Sequence, residues 1–550
     1  MNIVKKTGIA LLTAALLAGC NSASVSSAGS STSSIKTGSD IINLGTTNQM
    51  STLNPLTINW NFVDLYAMSF EFLPLISLNS SYEQESLLTQ PVTTDDNLTF
   101  NITINDNASW SDGEPVTTDD IIWTILKMTS PAVANQNFDF SMIKGLESGT
   151  SEEGADSAEG LVKIDDKHMQ IVMNTQMSLS TFINNIGTWI CILPSHALKD
   201  IADEDLVGND WFNHPTVVDG PYSADSEDLA HYVSYTANDS YFLGAPKIAK
   251  MNLNVMDGSS LVAALQSGEI DFVQPAIADI PYQDRKTLTN LGNVTTTYSD
   301  PITSEMTFFN THNISDARIR KAIVEAIDRS AIVKSLLPDN GEVTDGFVCK
   351  SSQYYDSSKE TISYDPEDAK KLLKEAGWDN SDPIEYYVNS SDSVLVNAAQ
   401  IVQQDLAAVG VTVNINTVDF DTLTGQIAGS DEYDMFSVQY TITPIDYYAD
   451  VNSLVNTVNY DASSSSPYRS WSGDYYNEKL DTILKQTQTA TSNSELTDLY
   501  TQMDNIVTED VPVFPLYFLG NSGSVSSRVK NATPSFFGAF NNIQDWELTK

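Results

Sequence analysis

Basic side chains are scarce. Against 72 aspartates and glutamates the chain sets 28 lysines and arginines, a formal net charge of −44. A surface of that sign repels phosphate backbones, which excludes nucleic acid as a partner. The acids are spread along the chain from Asp40 onward rather than gathered in a tail. That reads as a solvated surface keeping an exported body soluble, or as a field that gathers cationic solutes. Cysteine is nearly absent, with three in all, and none has metal-type spacing. Cys191 and Cys349 leave two readings open, one disulfide or two buried thiols. The five histidines, at 168, 196, 214, 231 and 312, never form a close pair, whereas zinc sites draw two ligands from one short segment. H-E-x-x-H, G-x-S-x-G and G-x-x-x-x-G-K-[ST] are all missing. A carboxylate pair of the glycosidase kind is uninformative in so acidic a chain. No catalytic residue, metal or cofactor is expected.

Long apolar runs are also missing after the first twenty residues. Lys5 and Lys6 precede an apolar run from Ile9 to Ala18, half the ~20 residues a spanning helix needs. A basic start, a short apolar stretch and small residues at its end make residues 1–19 a secretory signal. Its ending, Leu17-Ala18-Gly19-Cys20, resembles the lipobox of bacterial lipoproteins, in which the cysteine is acylated. Two or more acyl chains hold a protein firmly on a bilayer. Cys20 is therefore the expected lipidation site, anchoring an extracytoplasmic body to the cell membrane. Residues 20–40 are anchor and tether, nearly all Ser, Gly, Thr and Ala after the cysteine, a composition that buries no core.

The rest is long enough for two to four lobes. A strand is expected over Asp40–Leu44, leading into Thr52-Leu53-Asn54-Pro55, and another over Leu98–Ile104, where apolar and polar residues alternate. Ser111-Asp112-Gly113 reads as a turn and Thr118–Met128 as a helix; residues 148–160 form an acidic loop. Asp365 and Pro366 open a helix whose face carries Ala369, Leu372, Leu373 and Ala376 before Gly377 closes it. A second stripe of Leu395, Ala398, Ala399, Val402, Leu406 and Val409 ends at Gly410, and Val411, Val413 and Ile415 then alternate as a strand. Such helix-Gly-strand units predict α/β lobes built on a mostly parallel sheet.

Aromatic residues on irregular polar segments suit a pocket wall. Trp60 and Phe62 flank Asn61 after a proline turn, and Tyr440, Tyr447, Tyr448 and Trp471 cluster in a Ser/Thr/Asp-rich region. Packing of loops onto the body explains any one of them equally well.

Trp110-Ser111-Asp112-Gly113-Glu114-Pro115-Val116-Thr117-Thr118-Asp119-Asp120, Asp219-Gly220-Pro221-Tyr222, Asn238-Asp239-Ser240-Tyr241, Ala264 to Asp271, Asp316 to Arg329, Tyr364 to Trp378, Asn477 to Asp481 and Asp510-Val511-Pro512 stand in an order that resembles the extracellular solute-binding proteins of family 5. These are the oligopeptide- and dipeptide-binding lipoproteins that feed ABC importers. The residues also read structurally. Asp316 can cap a helix whose Ile319, Ala322, Ile323, Ala326 and Ile327 form a buried stripe, and Gly220 and Gly268 serve turns. None is expected to touch a ligand.

The resemblance implies an α/β, two-lobed, periplasmic-binding-protein-like fold with a hinge of two crossings and an extra domain on the first lobe. Lobe 1 takes 41–82, 214–303 and 513–550, the extra domain 83–213, and lobe 2 304–512. It further implies a monomer that binds a peptide or other small solute in the interlobe cleft and delivers it to ABC permease subunits. The expected ligand-binding residues are Trp60, Asn61, Phe62, Tyr440, Thr443, Asp446, Tyr447 and Trp471. The family's Trp-x-x-Asp-x-x-Asp-Pro segment appears here as Tyr440-Thr441-Ile442-Thr443-Pro444-Ile445-Asp446-Tyr447. Thr443 stands where the peptide binders' amine-pairing aspartate would be. A threonine hydroxyl accepts a hydrogen bond from an ammonium but brings no charge, and a charge-assisted bond is roughly twice as strong. Either Asp446 takes over as the anchor, or the cargo is a solute such as an oligosaccharide or a metal chelate. A surface receptor or adhesin without an importer, and a secreted hydrolase, are the competing classes.

Overall fold

The computed structural model describes residues 40–549 apart from 136, 139, 339, 428–429, 456–470 and 474. The signal segment, Cys20 and the tether lie outside the described residues. No described helix is long and apolar enough to cross a membrane.

Two mixed sheets organise the molecule. The first has seven strands in the order 294–298, 522–526, 272–273, 41–46, 250–255, 232–237 and 222–228. The second has six, in the order 341–342, 513–519, 303–309, 435–441, 384–389 and 413–418. Only Ile41–Thr46 in the first sheet and Ile384–Asn389 in the second pair in parallel with both neighbours, and every other pairing is antiparallel. The expectation of a mostly parallel sheet is thus corrected. The helix-Gly-strand unit accounts for Ile384–Asn389 beside Val413–Val418, while strands distant in sequence close both sheets antiparallel.

The central strands of the second sheet, Thr303–Phe309 and Val513–Leu519, are buried at every position, as strands covered on both faces must be. Val513–Leu519 pairs with Thr303–Phe309, so this strand lies in the second sheet. The chain therefore passes between the sheets twice, after Tyr298 and after Leu519, and the two crossings are bonded to each other. The Ser299 amide donates to the Asn521 carbonyl at 2.9 Å, and the Asn521 amide to the Ser299 hydroxyl at 3.0 Å. A side chain at Gly520 would strike the Ser299 carbonyl oxygen, so this approach requires glycine.

A third sheet, Thr99–Thr103 beside His168–Val172 beside Leu161–Lys163, carries the helix Thr118–Met128, whose apolar side is buried. The sequence signals found here are structural. Trp110 is fully buried and donates to Asp120 at 3.3 Å. Asp120 accepts the Thr117 amide as a helix cap and the Ser195 amide on its other oxygen. Asp316 and Asp365 cap their helices and Gly268 and Gly377 close theirs in the left-handed conformation, at φ 79° and 77°. Cys191 and Cys349 are both buried free thiols, which settles the cysteine alternatives against a disulfide.

Candidate ligand cavity

Trp60 and Phe62 are set by one turn. Asn61 caps the helix Phe62–Ser69 by accepting the Val63 amide at 3.2 Å, so the rings on either side of it project from the helix start. The Trp60 indole donates to the Asn137 carbonyl at 2.9 Å and stands edge-on to Trp189, with centroids 4.9 Å apart. Phe62 packs on Trp189 at 5.1 Å. Trp189 follows a widened helical turn in which the Thr188 amide reaches the Ile183 carbonyl five residues back. Such turns re-aim side chains, and this one presents Asn184 and Asn185. Gly187 permits it, because a Cβ there would enter the Ile76 side chain.

The opposite wall comes from the end of the strand Met435–Thr441 and from the residues just beyond it. Tyr440, Thr441, Thr443, Ala449 and Asp450 face Trp60, Phe62, Asn137, Met142, Asn184, Asn185 and Trp189 across a cavity of about 500 Å³. The Thr443 hydroxyl donates across it to Asn184 Oδ1 at 3.0 Å, closing one wall on the other. The Tyr440 hydroxyl donates to Asp450 Oδ1 at 3.0 Å. Asp450 is the one charged side chain among the described residues bordering the cavity. Burial lifts its carboxyl to about 7; the Tyr440 bond pulls it down and neighbouring Asp446 adds to the lift.

Of the residues expected from sequence, Trp60, Phe62, Tyr440 and Thr443 therefore meet at one cavity. Asn61 serves as a cap behind it. Asp446 is 1 % exposed, holds the Tyr500 hydroxyl at 2.8 Å, and points into the core rather than the cavity. Tyr447 is fully buried against Tyr500, with its hydroxyl 3.7 Å from the Cys349 sulfur. Trp471 packs on Phe308 and Phe436 at 5.4 and 5.8 Å. These three pack the body, which is the other explanation their sequence context allowed. Sequence reasoning missed Asn137, Met142, Asn184, Asn185, Trp189 and Asp450. Only Asp450 left a signal, a second acid one helical turn after Asp446 in the same aromatic segment.

The arrangement can surround a solute with indole and phenol faces, offer amide groups that both donate and accept, and balance one positive charge. No nucleophile–base pair or described three-ligand metal cluster accompanies it. A cavity lined from both sheets' sides of the molecule is suited to enclosing a small solute.

The chain belongs to the bacterial extracellular solute-binding proteins of family 5, whose middle-region model matches residues 84–462. It is 22% identical over 480 residues to the oligopeptide-binding protein AppA of Bacillus subtilis, covering 83% of this chain and 82% of that one. The structure of AppA in complex with a nonapeptide superposes with a TM-score of 0.68 at 20% identity, over 93% of this chain and 99% of that chain. The ABC transporter substrate-binding protein CtaP of Listeria monocytogenes gives a TM-score of 0.78 at 22% identity, over 93% and 99%. NikZ of Campylobacter jejuni, in complex with Ni(L-His), gives 0.72 at 20%, over 93% and 100%.

Proposed function

We propose that the protein captures a short peptide with a free amino group between its lobes and hands it to the permease of an ABC importer. The observation that carries this reading is Asp450, a carboxylate held by Tyr440 on the wall of an aromatic cavity beside Thr443. It supplies the negative charge that Thr443 lacks. The asparagines would meet the peptide's backbone groups, and the indoles its side chains. The peptide-binding relatives support this cargo. In this reading Cys20 carries the lipid that keeps the body at the cell membrane, and the protein works as a monomer. We assign lobe 1 to 41–82, 214–302 and 520–550, the extra domain to 83–213 and lobe 2 to 303–519.

A thermal-shift screen of the protein against peptides of about two to ten residues tests it. A peptide at about 100 times its dissociation constant adds about 2.7 kcal/mol of stability, a readily measured shift. No shift with any peptide would overturn the proposal.

A further inference from the structure

A second cavity, of about 260 Å³, adjoins the ligand cavity. On one wall Ile183 borders the second cavity, and the next residue, Asn184, borders the first. On the other wall Thr443 borders the first cavity and Ile445 the second. The Thr443 hydroxyl donates to Asn184 Oδ1 at 3.0 Å, so the bond stands where each wall passes from one cavity to the other. Phe537 marks the same boundary on a third side. Its ring lies 5.9 Å from Phe62, which borders the first cavity, and 6.0 Å from Tyr82, which borders the second.

The two cavities differ in kind. The first is walled by Trp60, Phe62, Trp189 and Tyr440 and carries Asp450. The second is lined mainly by hydroxyl and amide side chains, among them Gln84, Ser180, Gln353 and Asn493. Its two sides are joined by Asn97, which donates to the Ala490 carbonyl at 2.6 Å. Asn184 and Thr443 are both half-buried. Each gives the other a hydrogen bond that an undivided cleft would offer to a solute or to water. An extended peptide advances only about 3.3–3.6 Å per residue, so one pair of side chains meeting across its path is enough to stop it.

We propose that the Thr443–Asn184 bond is a partition that sets the length of the bound peptide. This rests on the proposed peptide cargo, with its amino group at Asp450. The ligand then fills a cavity of about 500 Å³, room for about two to four residues, and ends against the bonded pair. Removing either side chain opens the first cavity into the second. A longer peptide then continues among hydroxyl and amide groups that its backbone can meet directly or through water.

The test is calorimetric titration with phenylalanyl-alanine peptides, lengthened one alanine at a time from about two to about eight residues. It is run on the wild type, Asn184→Ala and Thr443→Ala, and either variant decides the matter if the other fails to fold. In the wild type, affinity should fall at least about tenfold past the length that fills the first cavity, a loss of about 1.4 kcal/mol or more. In the variants that fall should come about one or two residues later. A wild type that binds the longest peptide as tightly as the shortest, or variants that keep the wild-type limit, overturns the partition and leaves the peptide cargo standing. Loss of binding at every length in the variants also overturns it, because the pair is then a ligand contact. No binding of any length to the wild type removes the peptide cargo, and the partition with it.

Discussion

The Tyr440 hydroxyl donates to the Asp450 carboxylate at 3.0 Å, and both side chains border the cavity that Trp60 and Trp189 wall on the other side. The phenol is an aromatic wall and also the group that fixes the carboxylate's direction. In the proposed reading a charge held in this way meets an ammonium, which gains from the carboxylate and from the flanking ring faces together.

Asp450→Asn should therefore weaken binding of an ammonium-bearing ligand by about 1.5–3 kcal/mol, and leave uncharged ligands nearly unaffected; isothermal titration measures both.

The same group gives binding a pH dependence. With Asp450 lifted to about 7, affinity for a cationic ligand should fall as pH drops from about 8 to about 6, and Asp450→Asn should lack that slope. The stability of the empty protein moves the other way. The folded carboxyl holds its proton more tightly than the unfolded one, so its contribution is fully present below the unfolded value of 3.8 and is lost as pH rises through about 7. Asp450→Asn should consequently raise the Tm of the empty protein on the alkaline side of that window.

Gly520 lies at the second crossing, where a Cβ would meet the Ser299 carbonyl. Gly520→Ala should cost about 1–3 kcal/mol in urea denaturation. Gly292→Ala, where nothing lies within 4 Å of the added carbon, should be close to neutral.

Lys359 and Asp504 form a buried ion pair at 2.7 Å, each side chain 1 % exposed. The ammonium also serves the Asp345 and Val348 carbonyls at 2.6 and 2.9 Å, and the carboxylate accepts the Phe347 amide at 2.8 Å. Lys359→Met leaves Asp504 buried and unpaired, and should cost about 3–5 kcal/mol by chemical denaturation.

Burial pushes both core thiols up. Neither Cys191 nor Cys349 should react with a disulfide reagent in the native protein, and both should react on unfolding.

Most of the fold was legible because its signals are local. The Thr118–Met128 helix, the Asp365-Pro366 start and the Gly377 stop each rest on signals within a few residues, and each is where the sequence placed it. Pairing between distant strands leaves no such trace. Nothing near residue 513 says that Val513–Leu519 lies beside Thr303–Phe309 rather than in the other sheet. Part of the candidate cavity was legible for the same reason. Trp60 and Phe62 stand out as aromatics on a polar turn, but Asp446 and Asp450 differ only in direction. Tyr500, 54 residues further on, turns Asp446 inward, while Tyr440 keeps Asp450 at the cavity.

The central claim is that Asp450 holds a ligand ammonium, and calorimetric titration of one peptide with free and acetylated N-termini, on the wild type and on Asp450→Asn, tests it directly. Acetylation should weaken binding to the wild type and matter little in the variant, a coupling of about 1.5–3 kcal/mol between the two changes. An equal loss on acetylation in both proteins, or no binding of any free peptide to the wild type, would contradict the account.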